Sequence, residues 1–263
     1  MELELENKVV VIMGGTSGVG LETANEFLKE GTKVAICGRS QDKLNQAKDY
    51  LKNYATDSNL FTGVCDVTNK QQINKFIENV AKKFKTINVL VNAAGRSVMG
   101  HFFDITDEQW QEQLNLKYFA IIHAVQAVHP YMKKEGFGRI ININATLAKE
   151  PAPHMVATAA ARAGLLNLSK TLANELATDN ILVNSVSLGV IRTDQWERRR
   201  KSEKPEKSPE EYYDDLAKAR NIPLGRVGEA KEVADVILFL ASKRASYVVG
   251  SNIEVAGAIG RAI

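Results

Sequence analysis

VVVIMGGTSGVG, residues 9–20, is the stretch on which the reading of the whole chain turns. Valines and isoleucines in a run without polar alternation mark a strand buried on both faces. Glycines at 14, 15, 18 and 20 let the chain turn tightly, and Leu21 to Leu28 continues with helical spacing. The first amides of a helix lack internal partners and carry the positive end of its dipole, so a glycine-lined helix start receives a phosphate group closely. The spacing is Gly-x-x-x-Gly-x-Gly, which differs from the commoner Gly-x-Gly-x-x-Gly dinucleotide fingerprint. A strand-to-helix turn with no ligand has the same local pattern, so the rest of the chain has to decide.

With 263 residues, the chain suits one unit spanning 1–263. Hydrophobic residues make up 44% and charged residues 25%, the balance of a folded domain, which excludes disorder. A net charge of +3 is too slight to draw in nucleic acid, and no run approaches the roughly 18 apolar residues of a membrane span. The start, MELELENK, is acidic and has no secretory pattern. Cys37 and Cys65 each close an apolar run, as small buried thiols do, and suit a reducing compartment. A cytoplasmic protein is expected, with neither a nucleic-acid nor a membrane partner. His101, His123 and His129 form no metal-ligand spacing, so no metal is expected.

Strand and helix signals then alternate. Lys33–Cys37 reads as a strand, Ser40–Tyr54 as a helix, Leu60–Cys65 as a strand, Ile73–Phe84 as a helix and Val89–Val91 as a strand. Asp107–Met132 reads as one long helix, Arg139–Ile143 as a strand, His154–Ala177 as a helix and Ile181–Val186 as a strand, with Glu229–Ser242 and Ser251–Val255 as the last pair. Regular alternation implies right-handed crossovers and an α/β doubly wound parallel sheet of the Rossmann type, with helices on both faces. Sites in such sheets lie beyond the carboxyl ends of the strands, so Gly14–Gly20, Asp66, Asn92–Gly95, Asn144–Thr146 and Leu188–Thr193 are expected on one rim. Arg192–Pro223, with RRRK at 198–201, reads as a mobile lid containing one short helix, or as a solvated loop.

Together these motifs resemble the short-chain dehydrogenase/reductase family over almost the whole chain. CDVT at 65–68, NAAG at 92–95, Asn115 in LNLKYF, GRIININA at 138–145, LANELA at 172–177 and VNSVSLGVIRT at 183–193 carry the resemblance. It implies about seven parallel strands, a nicotinamide dinucleotide and a homo-oligomer, a tetramer or a dimer. It also implies that Gly14, Thr16, Ser17, Gly18 and Gly20 hold the dinucleotide and that Asp66 meets the adenine amino group. Asn92 and Gly95 would line the cofactor cleft, and Ile191 and Thr193 would meet the nicotinamide carboxamide. After the second strand stands Gly38-Arg39-Ser40 in place of the acid that would select NAD, and the Arg39 fork suits a 2'-phosphate. NADP is the expected cofactor, with NAD the alternative.

The catalytic positions depart from the pattern. Alignment puts Ala145 at the family's serine, Thr158 at its tyrosine and Arg162 at its lysine, while Asn115 matches its helix asparagine. Thr158 and Arg162 stay four apart on one helical face, so the placing of the pair survives. Its proton chemistry does not: a threonine hydroxyl is far less acidic than a phenol, and an arginine does not release a proton at working pH. His154, one turn before Thr158, is the candidate substitute because imidazole suits acid–base work; a capping or surface role is the alternative. Two readings stay open: an NADP(H)-dependent oxidoreductase with an altered proton supply, and a catalytically inactive dinucleotide-binding or assembly protein on the same fold.

Overall fold

In the computed structural model residues 2–260 are described; Met1 and residues 261–263, which the single-unit reading also covers, lie outside them. Strand β1 is Val9–Met13 and β2 is Lys33–Gly38, joined by helix α1, Gly18–Lys29. Helix α2, Gln41–Leu51, leads to β3, Leu60–Val64, and helix α3, Lys70–Phe84, leads to β4, Val89–Asn92. Helices α4, Asp107–Leu114, and α5, Ala120–Glu135, precede β5, Gly138–Ala145. Helix α6, Val156–Leu176, then crosses to β6, Ile181–Leu188. The sheet closes with β9, Asn252–Val255, which follows helix α9, Ala230–Ala241.

These seven strands are all parallel, in the order β3-β2-β1-β4-β5-β6-β9. The sequence direction reverses between β1 and β4, and Met13 pairs with Cys37 on one side and with Asn92 on the other. A crevice therefore opens where the two halves of the sheet diverge. One face is packed by Phe76, Val80, Val128, Met132 and Leu165 of α3, α5 and α6. The other is packed by Phe27, Leu44, Leu51, Ile237 and Leu240 of α1, α2 and α9. Because both faces are covered, β1, β2 and β4 are apolar with little alternation, whereas β5 and β6 carry buried asparagines and serines.

Two element readings change. The expected helix over 107–132 is interrupted by a π-helical turn at Asn115–Phe119 and runs on to Glu135, where Gly136 (φ +60°) ends it. Hydrophobic spacing does not reveal a one-residue bulge, because the apolar face continues on either side of it. The segment 192–223 holds two helices in place of one, α7 at Asp194–Glu203 and α8 at Pro209–Ala219. Helix α8 starts as its sequence allows, with a Ser208–Glu211 capping box and Pro209 at the first turn. Helix α7 buries no residue and is laced instead by Glu197–Arg200, Glu197–Lys201 and Arg199–Glu203 pairs at helical spacing. Short strands β7, Ile191–Arg192, and β8, Gly228–Glu229, pair beneath the segment.

A buried polar chain ties the middle of the sheet to α6. The Asn92 amide donates to Asn142 Oδ1 (2.8 Å), the Asn142 amide donates to Ser169 Oγ (2.9 Å), and that hydroxyl donates to the Leu165 carbonyl (2.8 Å). Removing the central member takes the acceptor from the buried Asn92 amide and one of its two partners from the Ser169 hydroxyl. Asn142→Ala is expected to lower the unfolding free energy by about 3 kcal/mol, read by chemical denaturation with an unchanged denaturant slope.

Candidate active site

The crevice is a cleft of about 900 Å³ at the carboxyl ends of the strands. Its floor is the glycine turn. Gly14 has φ +93°, and a Cβ there would lie 2.6 Å from the Ala94 Cα; a Cβ on Gly20 would lie 2.2 Å from the Gly14 carbonyl oxygen. The absent side chains allow β1 and β4 to end against each other and leave the start of α1 open to a ligand. Thr16, Ser17 and Gly18 complete this wall, Thr193 packs beside Gly18, and Gly95 and Ile191 also line the cleft.

Arg39 and Asp66 stand together at the far end. Burial pushes the Asp66 carboxyl up, but hydrogen bonds from the Thr68 amide (2.9 Å) and hydroxyl (2.8 Å), together with the Arg39 charge, hold it below its usual range. Lys43, in the first turn of α2, is a second cation on that wall, and its amide caps on Ser40 Oγ. The sequence signal for it is its place one turn after Arg39, at the start of the helix that follows the Gly-Arg-Ser corner.

At the opposite end the wall contains Asn144, Ala145, Thr146, His154 and Arg162. The half-buried Arg162 donates to the Ile143 carbonyl (3.2 Å), and desolvation pushes its guanidinium down to about 10, so it stays charged at neutral pH. Asn144 braces the same corner, its amide donating to the Arg162 carbonyl (3.1 Å) and its oxygen accepting from the Ala145 amide (2.9 Å). His154 lies just before α6, where its carbonyl accepts from the Gly100 amide (2.9 Å).

Three expected site residues stay off this wall. Asn92 is turned into the buried chain that ends at Ser169. Asn115 begins the π-helical turn, and its Oδ1 accepts from Gln111 (2.9 Å) beside a separate shallow hollow. Thr158 is wholly buried: its Oγ1 accepts from the Val98 amide (3.0 Å) and lies within donating distance of Gln113 Oε1 (3.0 Å) and the Val98 carbonyl (3.2 Å). A hydroxyl carried on Cβ is too short to pass this loop and reach the cleft, where a tyrosine's phenol would extend beyond it.

The same network holds a residue that sequence reasoning missed. Lys117 is buried, and its ammonium donates to the Arg96 carbonyl (2.9 Å) and to Gln113 Oε1. Burial pushes the amine down to about 7, the Arg162 and Arg96 charges act in the same direction, and Glu112 opposes them. Through Thr158 and Lys117, α6 and the π-helical turn grip the segment Arg96–Val98 at the cleft's edge. No pattern in the sequence distinguishes this lysine from an exposed helix lysine.

A family model described as enoyl-(acyl carrier protein) reductase matches residues 14–258. The 3alpha-hydroxysteroid dehydrogenase of Mediterraneibacter gnavus is 33% identical, over 98% of this chain and 99% of its own. The chain belongs to the short-chain dehydrogenase/reductase family. Among solved members of that family, a short chain oxidoreductase of Pseudomonas aeruginosa, in an NADPH-bound structure described as containing an atypical catalytic center, superposes with a TM-score of 0.92. It is 38% identical, over 98% of this chain and 100% of that one. The L-sorbose reductase of Gluconobacter frateurii, complexed with NADPH and L-sorbose, has a TM-score of 0.94 at 30% identity, with 100% of both chains covered. Short-chain dehydrogenase/reductase membership thus accounts for the glycine turn and the sheet order.

The Lys117 amine makes stability depend on pH in a stated direction. Its folded value of about 7 lies below the ordinary 10.5, so below pH 7 it is protonated both folded and unfolded, and the burial penalty is fully present. Between 7 and 10.5 the unfolded chain binds the additional proton, and stability rises with pH. Lys117→Met is expected to be favoured most at pH 6.5, with its advantage over the parent falling by about 3 kcal/mol by pH 9.5 in chemical denaturation. A difference that does not vary with pH would show that the amine is not desolvated.

Proposed function

We propose that this protein is an NADP(H)-dependent oxidoreductase that transfers a hydride to or from an unidentified small molecule through a non-standard acid–base site. The observation that carries the reading is one cleft with a glycine-lined helix start and two cations, Arg39 and Lys43, at one end, and Ala145, His154 and Arg162 at the other. The residues fit the dinucleotide. Gly14 and Gly20 leave room that a Cβ would fill, and Asp66 is held ionised as an acceptor for the adenine amino group. Arg39 and Lys43 suit a 2'-phosphate, which favours NADP over NAD. The NADPH complexes of the two solved relatives support the same choice.

When bound, the nicotinamide supplies the hydride. The chain's own residues orient the reactants and handle the proton. Ile191 and Thr193 line the cleft and are assigned to the carboxamide, with Gly95 giving close access. Arg162 replaces the family's lysine as a fixed positive charge that bonds and orients but does not exchange a proton at neutral pH. Ala145 offers no donor. Thr158 is committed to Val98 and Gln113, so it serves as a positioning residue, and Asn115 is assigned to holding the helix turn beside the site. His154 is the remaining titratable side chain on the wall next to Ala145 and is assigned the proton transfer. A substrate needing little acid help, such as an iminium or an activated alkene, suits such a site.

The competing reading, a catalytically inactive dinucleotide-binding protein, is favoured by the removal of Thr158 from the cleft and by the inert Ala145. Both readings predict cofactor binding, and they part on turnover. We further assign residues 192–223 as a lid, a cytoplasmic setting to the buried free thiols Cys37 and Cys65, and a homo-oligomeric state, tetramer or dimer, to the exposed Leu114 and Phe119 of the α4–α5 region.

NADPH titration by fluorescence, followed by a screen of carbonyl, imine and alkene substrates, tests the proposal. Arg39→Ala combined with Lys43→Ala is expected to weaken NADPH binding by roughly 10- to 100-fold and to leave NADH unchanged. His154→Ala is expected to lower kcat by about 100-fold or more with an unaltered NADPH Kd, and undiminished turnover would remove its role. If the cofactor binds and nothing turns over, Ala145→Ser with Thr158→Tyr and Arg162→Lys restores ordinary carbonyl reduction only if a substrate pocket persists.

A further inference from the structure

Beyond Ala145 the cleft continues under α7 and the end of α8, where Trp196, Arg198, Arg199 and Arg220 line it. The basic run at 198–201 is not uniform. Arg200 is a structural clamp, donating to the Glu197 carboxylate (2.7 Å and 3.0 Å) and to the Lys207 carbonyl (2.6 Å). Lys201 turns to the same carboxylate (3.9 Å). Arg199 lies over the Trp196 ring (5.0 Å to its centroid) and 4.0 Å from Glu203. Arg198 and Arg220 have no carboxylate partner among the described residues, although both stand on the cleft wall. The carboxylates on this half of the wall are Glu112, already engaged by Arg96, and Asp194 in the first turn of α7.

Unpaired cations in a cleft concentrate anions, because low-dielectric walls focus their field. The planar guanidinium fork matches a carboxylate or phosphate, and an indole face beside it accepts the apolar remainder of a small molecule. We propose that the lid half of the cleft binds the anionic head group of the substrate, a carboxylate or phosphate monoester, through Arg198 and Arg220 with Trp196 alongside. This deepens the oxidoreductase reading and rests on it for the identity of the bound molecule as substrate. It also gives a reason for a helix that rests on the Tyr212–Tyr213 cluster through Trp196 alone and has no fully buried residue: α7 carries one clamped arginine to fix its place and one free arginine to meet a ligand.

Collisional quenching of Trp196 tests the charge of this lobe without knowledge of the substrate. The experiment uses full-length protein carrying Trp110→Phe, so that Trp196 alone reports, saturated with NADP⁺. Iodide is expected to quench at least threefold more effectively than caesium at low salt, each scaled to free tryptophan amide. Benzoate or phenyl phosphate is expected to protect against iodide where methyl benzoate does not, and whichever anion protects identifies the head group. Arg198→Gln with Arg220→Gln is expected to abolish both effects. Equal quenching by iodide and caesium, protection by neither anion, protection by the ester as well, or survival of both effects in the double variant would overturn the proposal. Calorimetry of NADP⁺ binding is read separately: its failure would remove the cofactor reading and leave the quenching asymmetry to report on the arginines alone.

Discussion

Everything in the molecule is arranged around the contact between the ends of β1 and β4. Gly14 turns with a positive φ and brings its α-carbon against the Ala94 backbone, closer than any side chain permits. This approach occurs where the sheet order reverses, so the crevice between the two halves opens directly above it. The start of α1 is then held at the cleft floor with its first amides free of internal partners. The two hydrophobic layers fix the sheet from either side and keep that floor rigid.

Ala145, Thr158 and Arg162 shape the α6 side of the cleft, Ala145 and Arg162 on its wall and Thr158 behind it. The Thr158 side chain is wholly buried and does not reach the cleft wall. Its hydroxyl turns instead to Val98 and Gln113, and the Gln113 oxygen also accepts from Lys117. The buried amine sits near the half-buried guanidinium of Arg162, and each is made less basic by loss of water. Thr158 and Lys117 thus brace the segment Arg96–Val98 that borders the cleft. The charged side chains that remain on the cleft wall serve binding and orientation more readily than acid–base exchange.

Charge is distributed along the cleft in a matching way. Arg39 and Lys43 lie on one side, Arg162 on the other with Ala145, and Arg198 on α7 and Arg220 at the end of α8 continue the wall. The acids that share the wall are largely engaged, Asp66 by Thr68 and Glu112 by Arg96. A cleft of this composition favours ligands with negative groups at both ends, which a phosphate-rich cofactor and an anionic substrate would supply together.

The sequence by itself determined the alternation of strands and helices and the glycine turn at the end of the first strand. Each of these is written in local spacing, because periodicity and chain reversal depend on near neighbours. Only the tertiary structure decided that Asn92 faces a buried chain to Ser169, that Asn115 opens a π-helical turn, and that Thr158 meets Val98. It also decided that Lys117 is buried and that α7 forms on ion pairs without an apolar face. Those outcomes depend on partners brought close by packing, many of them tens of residues away along the chain. A helical face names the side of a residue, but what stands on that side is set by the fold.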